Sequence, residues 1–233
     1  MLSFISPDCW DRVVLEFDQV SPYVLNVIEW VNFLIAVGAY LLGSIPSGFL
    51  MARARGVDIT KVGSGNIGAT NAFRVLGKTA GTLVLFADAL KGFLAVRVLP
   101  ELFATAPLES QGMLAGLCVI LGHNYTCWLK FKGGKGIATS AGVLLALTPL
   151  GLAWALGTWI LVFLITRYVS VASLVAALIL PFSVWFCGGT NGMIVLTSVF
   201  SALAIYKHQA NIQRLLNGTE SRFISKKKSP PLN

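Results

Sequence analysis

Seven apolar stretches, each reaching or approaching the roughly 20 residues needed to cross a bilayer, leave this chain little room for a soluble domain. They run over 27–51, 79–99, 111–128, 137–147, 151–166, 169–186 and 193–206. Of 233 residues, 55% are hydrophobic and only 12% charged, about half the charge of a typical soluble chain. In hydrocarbon every backbone N–H and C=O must be satisfied within the protein, which favours helices. The expected fold is all-α: a polytopic membrane protein of about seven transmembrane helices, with short amphipathic helices on the cytoplasmic face. The fourth and fifth stretches are short and separated only by a break at Thr148 and Pro149, with Leu150 following. They read as a helical hairpin or as one broken, re-entrant element.

Basic residues in short loops set the orientation. If there are seven crossings, 15 of the 18 basic residues fall on one side, in the segments 52–78 and 129–136, at Arg167, and after Tyr206. The opposite side carries Asp8, Asp11, Glu16, Asp18, Glu29, Glu101 and Glu109 against Arg12. The expectation is a multi-pass membrane protein, N-terminus outside and C-terminus cytoplasmic. It divides into an external extension over 1–26, one membrane domain over 27–218, and a basic cytoplasmic tail over 219–233, of which 226–231 lies near anionic headgroups. The acidic N-terminus lacks the basic n-region of a cleavable signal peptide. The net charge of +8 needs no nucleic acid, because the basic residues flank hydrophobic spans. The four cysteines show no metal-ligand spacing; Cys9 and Cys187 could both face an oxidising compartment and pair.

Three cytoplasmic segments are richer in glycine, hydroxyls and cations than connectors require. The first, 61–78, reads KVGSGNIGATNAFRVLGK. Gly63, Gly65 and Gly68 allow close backbone approach, Ser64 adds a hydroxyl, and Asn66, Thr70 and Arg74 share one face of a short helix. Free N–H groups at such a helix start bind phosphate well. The second, 130–142, reads KFKGGKGIATSAG and surrounds Lys135 with Gly133, Gly134 and Gly136 before a membrane helix. It is not a Walker A loop, because glycine follows the lysine where Ser or Thr is needed. The third, 207–220, places His208 and Asn211 one turn apart on a short helix with Arg214 beyond them. Inside the second span, Asp88 and Lys91 stand at i, i+3; such charges are costly in a membrane unless they pair. His123, near the end of the third span, reads as a hydrogen-bonded structural residue. No GxSxG elbow, HExxH motif or ligand cluster calls for a metal or cofactor.

In five ordered motifs the chain resembles the membrane acyl-phosphate:glycerol-3-phosphate acyltransferases, the PlsY family. They are GSIPSG at 43–48, GSGNIGATNAFR at 63–74, DALKG at 88–92, GHNYTCWLKFKGGKGIATS at 122–140 and HQANIQRL at 208–215. One departure is Thr126, where the family pattern has proline. The resemblance implies seven helices and a site open to the cytoplasm. It implies Ser64, Arg74, Lys135, His208 and Asn211 as the catalytic set. Substrate would be held by Gly63, Gly65, Asn66, Thr70, Asn71, Gly133, Gly134 and Ser140. The implied reaction moves an acyl group from acyl phosphate to the 1-hydroxyl of glycerol 3-phosphate, without a metal or cofactor. The soluble-type HxxxxD signature is absent, since Trp128 follows His123 by five and Gln213 follows His208 by five. A carrier for phosphate or a phospholipid could use the same cations and glycines, and a membrane scaffold would leave the glycine loops unexplained.

Overall fold

The structure is a computed structural model that describes residues 21–103 and 108–223. Among them every regular element is helical: α1 (Pro22–Ser44), α2 (Ser47–Arg53), α3 (Ala69–Leu76), α4 (Lys78–Arg97), α5 (Leu108–Asn124), α6 (Ile137–Leu147), α7 (Pro149–Thr166), α8 (Val169–Phe186), α9 (Asn191–Lys207) and α10 (Gln209–Leu216), with a 3₁₀ turn at Cys127–Leu129. The all-α expectation is met. Five spans are long and apolar enough to cross a membrane, the first of them joining α1 and α2. The other two apolar helices, α6 and α9, are shorter. The eleven residues of α6 rise about 16 Å at 1.5 Å each, roughly half of a 30 Å hydrocarbon layer. Thr148 and Pro149 join α6 and α7 as a helical hairpin, in which the Leu152 N–H donates to Thr148 O. The proposed Cys9–Cys187 pairing, most of the N-terminal extension and the lysines at 226–228 lie outside the described residues.

Lipid tails are as apolar as leucine, so helix pairing in a membrane relies on close contact through small residues. Two pairs here are built that way. A Cβ at Gly43 would collide with the Val119 carbonyl, and one at Gly122 with the Tyr40 carbonyl, so α1 and α5 touch backbone to backbone. The same holds for α4 and α6, through Gly92 against Thr139 and Gly142 against Ala89. Ile35, Ala39, Ala95, Ala115, Val119 and Val143 fill the space these four helices leave. By contrast α7 turns Trp154, Leu161, Leu164 and Ile165 outward, as a lipid-facing helix does.

Polar groups tie the bundle where the motifs begin. Ser47 Oγ donates to Asp88 Oδ1 at 3.0 Å, and Lys91 pairs with the same oxygen at 2.9 Å while donating to Ile45 O at 2.9 Å. The two charges neutralise each other in a buried position, as their spacing suggests. The Thr126 hydroxyl donates to Ser44 O at 2.6 Å, joining the end of α5 to the end of α1.

The close approach of α4 and α6 is testable. Gly142→Leu, which must displace the Ala89 backbone, is expected to destabilise by about 1–3 kcal/mol, read as a lower melting temperature in detergent. Gly157→Leu on α7, where a side chain would meet nothing within 4 Å, is expected to leave melting unchanged.

Candidate active site

The loop before α3 is organised by one side chain. Asn71, 2% exposed, donates through Nδ2 to the carbonyls of Ile59, Val62 and Asn66, and its Oδ1 accepts from the Ser64 N–H at 2.9 Å. A Cβ on Gly63, whose φ is +63°, would strike that amide oxygen. Glycine at 63 therefore serves the Asn71 knot. The Gly68 N–H donates to Asn66 Oδ1 at 2.8 Å, setting the start of α3.

The second loop rests on the end of α5. Gly133 N–H donates to Asn124 O at 3.2 Å and Gly134 N–H to His123 O at 3.0 Å. A Cβ on Gly134 would meet the His123 ring, and one on Gly133 the backbone of His123 and Asn124. His123 itself sits 3.6 Å from Asp88, too far for a hydrogen bond but close enough for attraction. Gly136, at φ +81°, turns the chain into α6.

These loops converge with α8 and α10 on one cavity of about 140 Å³. Ser64, Asn66, Thr70, Arg74, Lys135, His208 and Asn211, all expected from the sequence, line it, as does Asn71. Ala69 and Thr70 at the start of α3, and Ile137 and Ala138 at the start of α6, line it as well. The first N–H groups of a helix have no partner inside it, so two positive helix ends and two cations face one space. The remaining expected residues lie elsewhere. Gly63 and Gly134 serve the loops as described, Gly65 and Gly133 border a separate shallow groove with Trp128 and Lys130, and Ser140 faces an apolar groove.

Sequence reasoning passed over the residue that holds the cavity together. Glu220, its side chain 5% exposed, accepts from Ser170 Oγ at 2.8 Å, Asn211 Nδ2 at 2.7 Å and Arg214 Nε at 2.7 Å. Burial pushes its pKa up, but the bonds from Asn211, Arg214 and Ser170 outweigh this and hold it below the usual value. With Nδ2 committed to Glu220, Asn211 must present Oδ1 to the cavity, where it accepts from Lys135 Nζ. Glu220 was legible only as a lone carboxylate beside a basic tail; Ser170, Ser173 and Trp159, which also line the cavity, look like ordinary span residues.

Lys135 is lowered to about 8 by burial and by the nearby Arg214, with Glu220 acting against them. His208 is lowered to about 4 by burial and by Lys135, so it is neutral near pH 7. Its Nδ1 lies 2.7 Å from Ala204 O. A carbonyl can only accept, so Nδ1 carries the hydrogen and Nε2 presents a lone pair.

Comparison with known proteins agrees with this geometry. The family profile for glycerol-3-phosphate acyltransferase matches residues 33–218. The chain is similar to the glycerol-3-phosphate acyltransferases of Geotalea daltonii, 44% identical over 82% of this chain and 97% of that protein, and of Desulforudis audaxviator, 48% identical over 81% and 94%. The crystal structure of PlsY, an integral membrane glycerol 3-phosphate acyltransferase, in its glycerol 3-phosphate form matches with a TM-score of 0.77 at 41% identity, covering 82% of this chain and 95% of that one. Its lysophosphatidic acid form matches with a TM-score of 0.75. Fold and site together define an integral membrane acyltransferase. The chain belongs to the glycerol-3-phosphate acyltransferase family.

Removing the Glu220 carboxylate strands the buried donors of Asn211 and Ser170, at about 1–3 kcal/mol for each unsatisfied group. Glu220→Ala is expected to lower both the melting temperature and the activity. A variant that melts and turns over like wild type would mean that the carboxylate does not organise the site.

Proposed function

We propose that the protein transfers a fatty acyl group from acyl phosphate to the 1-hydroxyl of sn-glycerol 3-phosphate on the cytoplasmic side of the membrane. The products are lysophosphatidate and inorganic phosphate. One observation carries this reading: the cavity of cations and helix N-termini shares Ile137, Trp159 and Ser173 with an apolar groove of about 90 Å³. That groove runs between α6, α7, α8 and α9, past Leu144, Leu152, Leu180 and Phe200. Phosphate and acyl chain thus find adjoining compartments of opposite character. The activity of the relatives and the glycerol 3-phosphate form of PlsY support the acceptor. Acyl phosphate as donor, the residue roles and the orientation are inferences from chemistry and sequence. The competing reading, a carrier for phosphate or a phospholipid, is not favoured by these similarities.

An acyl phosphate is a mixed anhydride and already activated, so no protein nucleophile is needed. The acceptor oxygen bonds to the carbonyl carbon, the carbonyl–phosphate C–O bond breaks, and the hydroxyl proton leaves with the released phosphate. The protein's tasks are to hold two phosphates close together and to align the hydroxyl on the carbonyl, which alone can supply much of a rate enhancement. Arg74, Lys135 and the starts of α3 and α6 offset the repulsion of the two phosphates. Ser64, Asn66 and Thr70 offer hydrogen bonds around them. His208 accepts the hydrogen bond of a glycerol hydroxyl through Nε2; with a pKa of about 4 it is too weak a base to drive the transfer. Asn211 orients Lys135. The membrane domain runs from about residue 27 through the residues after α10 that pack on the cavity, with the N-terminal extension outside and the basic tail beyond them in the cytoplasm.

The decisive experiment supplies purified protein in lipid with palmitoyl phosphate and glycerol 3-phosphate and looks for lysophosphatidate. Turnover that required acyl-CoA instead would overturn the donor. Loss of a preorganised charge at a transition state typically costs on the order of 10²–10³ in rate. Arg74→Ala and Lys135→Ala are each expected to lose about that much, and Lys132→Ala, outside the cavity, little.

The pH dependence of kcat/KM reports the free enzyme. Lys135 is cationic below its pKa of about 8 and neutral above it, so kcat/KM should fall as the pH rises through 8. Lys135→Arg, which keeps its charge, should carry that limb to higher pH in whatever activity it retains. His208→Gln should leave the profile between pH 6 and 7 unchanged, because His208 is already neutral there; loss of a limb in that range would make His208 the base.

A further inference from the structure

Residues 220–223 run beside the cavity, and each is fastened to a side chain or carbonyl of a neighbouring element. Glu220 is bonded to Ser170 on α8 and to Asn211 on α10. The carbonyl of Ser221 accepts from Arg74 Nη2 on α3 at 3.0 Å. The Arg222 guanidinium lies over the Tyr168 ring at 5.2 Å. Phe223 donates its N–H to Arg167 O at 2.8 Å, in the turn between α7 and α8. Its ring meets Phe73 of α3 edge-on at 6.2 Å and Phe163 of α7 at 5.8 Å. Phe73 is in turn pressed on α4, where a Cβ at Gly81 would strike its ring. This aromatic row joins α3 to the end of α7.

Arg74 shows why such a bridge matters. It stands exposed at the rim, on a helix of eight residues outside the main bundle. Among the described residues its one hydrogen bond is the one to Ser221. A guanidinium has five donors, so that bond leaves most of the fork free for an anion. We infer that 220–223 is a strap that positions Arg74 over the substrate cavity, with Phe223 as the positioning residue that anchors it. The inference rests on the role given above to Arg74 as a phosphate-binding cation. The strap lies past residue 218, where the family profile ends, and Phe223 itself touches no cavity wall.

The test is a double-mutant cycle on the full chain in lipid nanodiscs, measuring kcat and KM for glycerol 3-phosphate and palmitoyl phosphate. Phe223→Ala should lower kcat/KM about tenfold, chiefly by raising KM, whereas Phe223→Tyr, which keeps the aromatic edge, should stay within about threefold of wild type. In an Arg74→Lys background, where the fork is already lost, Phe223→Ala should add less than about twofold. Should Phe223→Ala fail to accumulate, Phe223→Leu takes its place in the same cycle. Effects that multiply would overturn the strap while leaving the role of Arg74 intact, as would a Phe223→Ala enzyme with wild-type constants. An Arg74→Ala enzyme with unaltered kinetics would overturn the phosphate role of Arg74, and the strap with it.

Discussion

Cations gathered around one cavity repel one another, and here that repulsion is met by Glu220. The carboxylate takes hydrogen bonds from Ser170, Asn211 and Arg214, so it joins α8 to α10 and offsets part of the positive charge. It also settles the orientation of the Asn211 amide, and through Asn211 Oδ1 the position of Lys135. A charge-assisted bond of this kind is shorter and stronger than a neutral one. The same segment continues to Ser221, which holds Arg74. Both cations therefore depend on the few residues that follow α10.

Around that centre the bundle solves a second problem, that of holding helices together where there is no water to drive them together. Gly43 with Gly122, and Gly92 with Gly142, bring two helix pairs to backbone contact. The α4–α6 pair places the start of α6, and hence Lys135, beside the loop that leads into α3. The buried Asp88–Lys91 pair sits under these loops, with His123 between the carboxylate and Gly134. The lysine and the histidine near one carboxylate keep polar chemistry tolerable at the membrane edge. Beyond the polar floor, the apolar groove opens between α6 and α9 without a charged residue in its lining.

The glycines show how a correct reading of composition can carry a different physical reason. Their density in the two loops suggested bare backbone offered to a ligand. In the structure Gly63 makes room for the Asn71 amide, and Gly133 and Gly134 make room for the end of α5. Gly68 and Gly136 do line the cavity, beside Ala69, Thr70, Ile137 and Ala138 at the starts of α3 and α6, and of those four only Thr70 has a chemical signature of its own. Asn71 resembles a ligand-binding amide in sequence, yet its donors are taken up by Ile59, Val62 and Asn66.

The sequence by itself determined the class of fold, because the length of an apolar run and the need to satisfy backbone groups in lipid are local properties. It likewise marked Ser64, Arg74 and Lys135, since hydroxyls and cations in glycine-rich loops are visible along the chain, while the resemblance to the acyltransferase motifs added His208 and Asn211. What it could not contain was the partner of each. Glu220 reaches Ser170 across 50 residues, and the Ser221 carbonyl meets Arg74 across 147. Such contacts have no period or spacing to betray them. They exist only once α3, α8 and α10 are packed around one cavity, and so the tertiary structure alone decided which groups are free to meet a substrate.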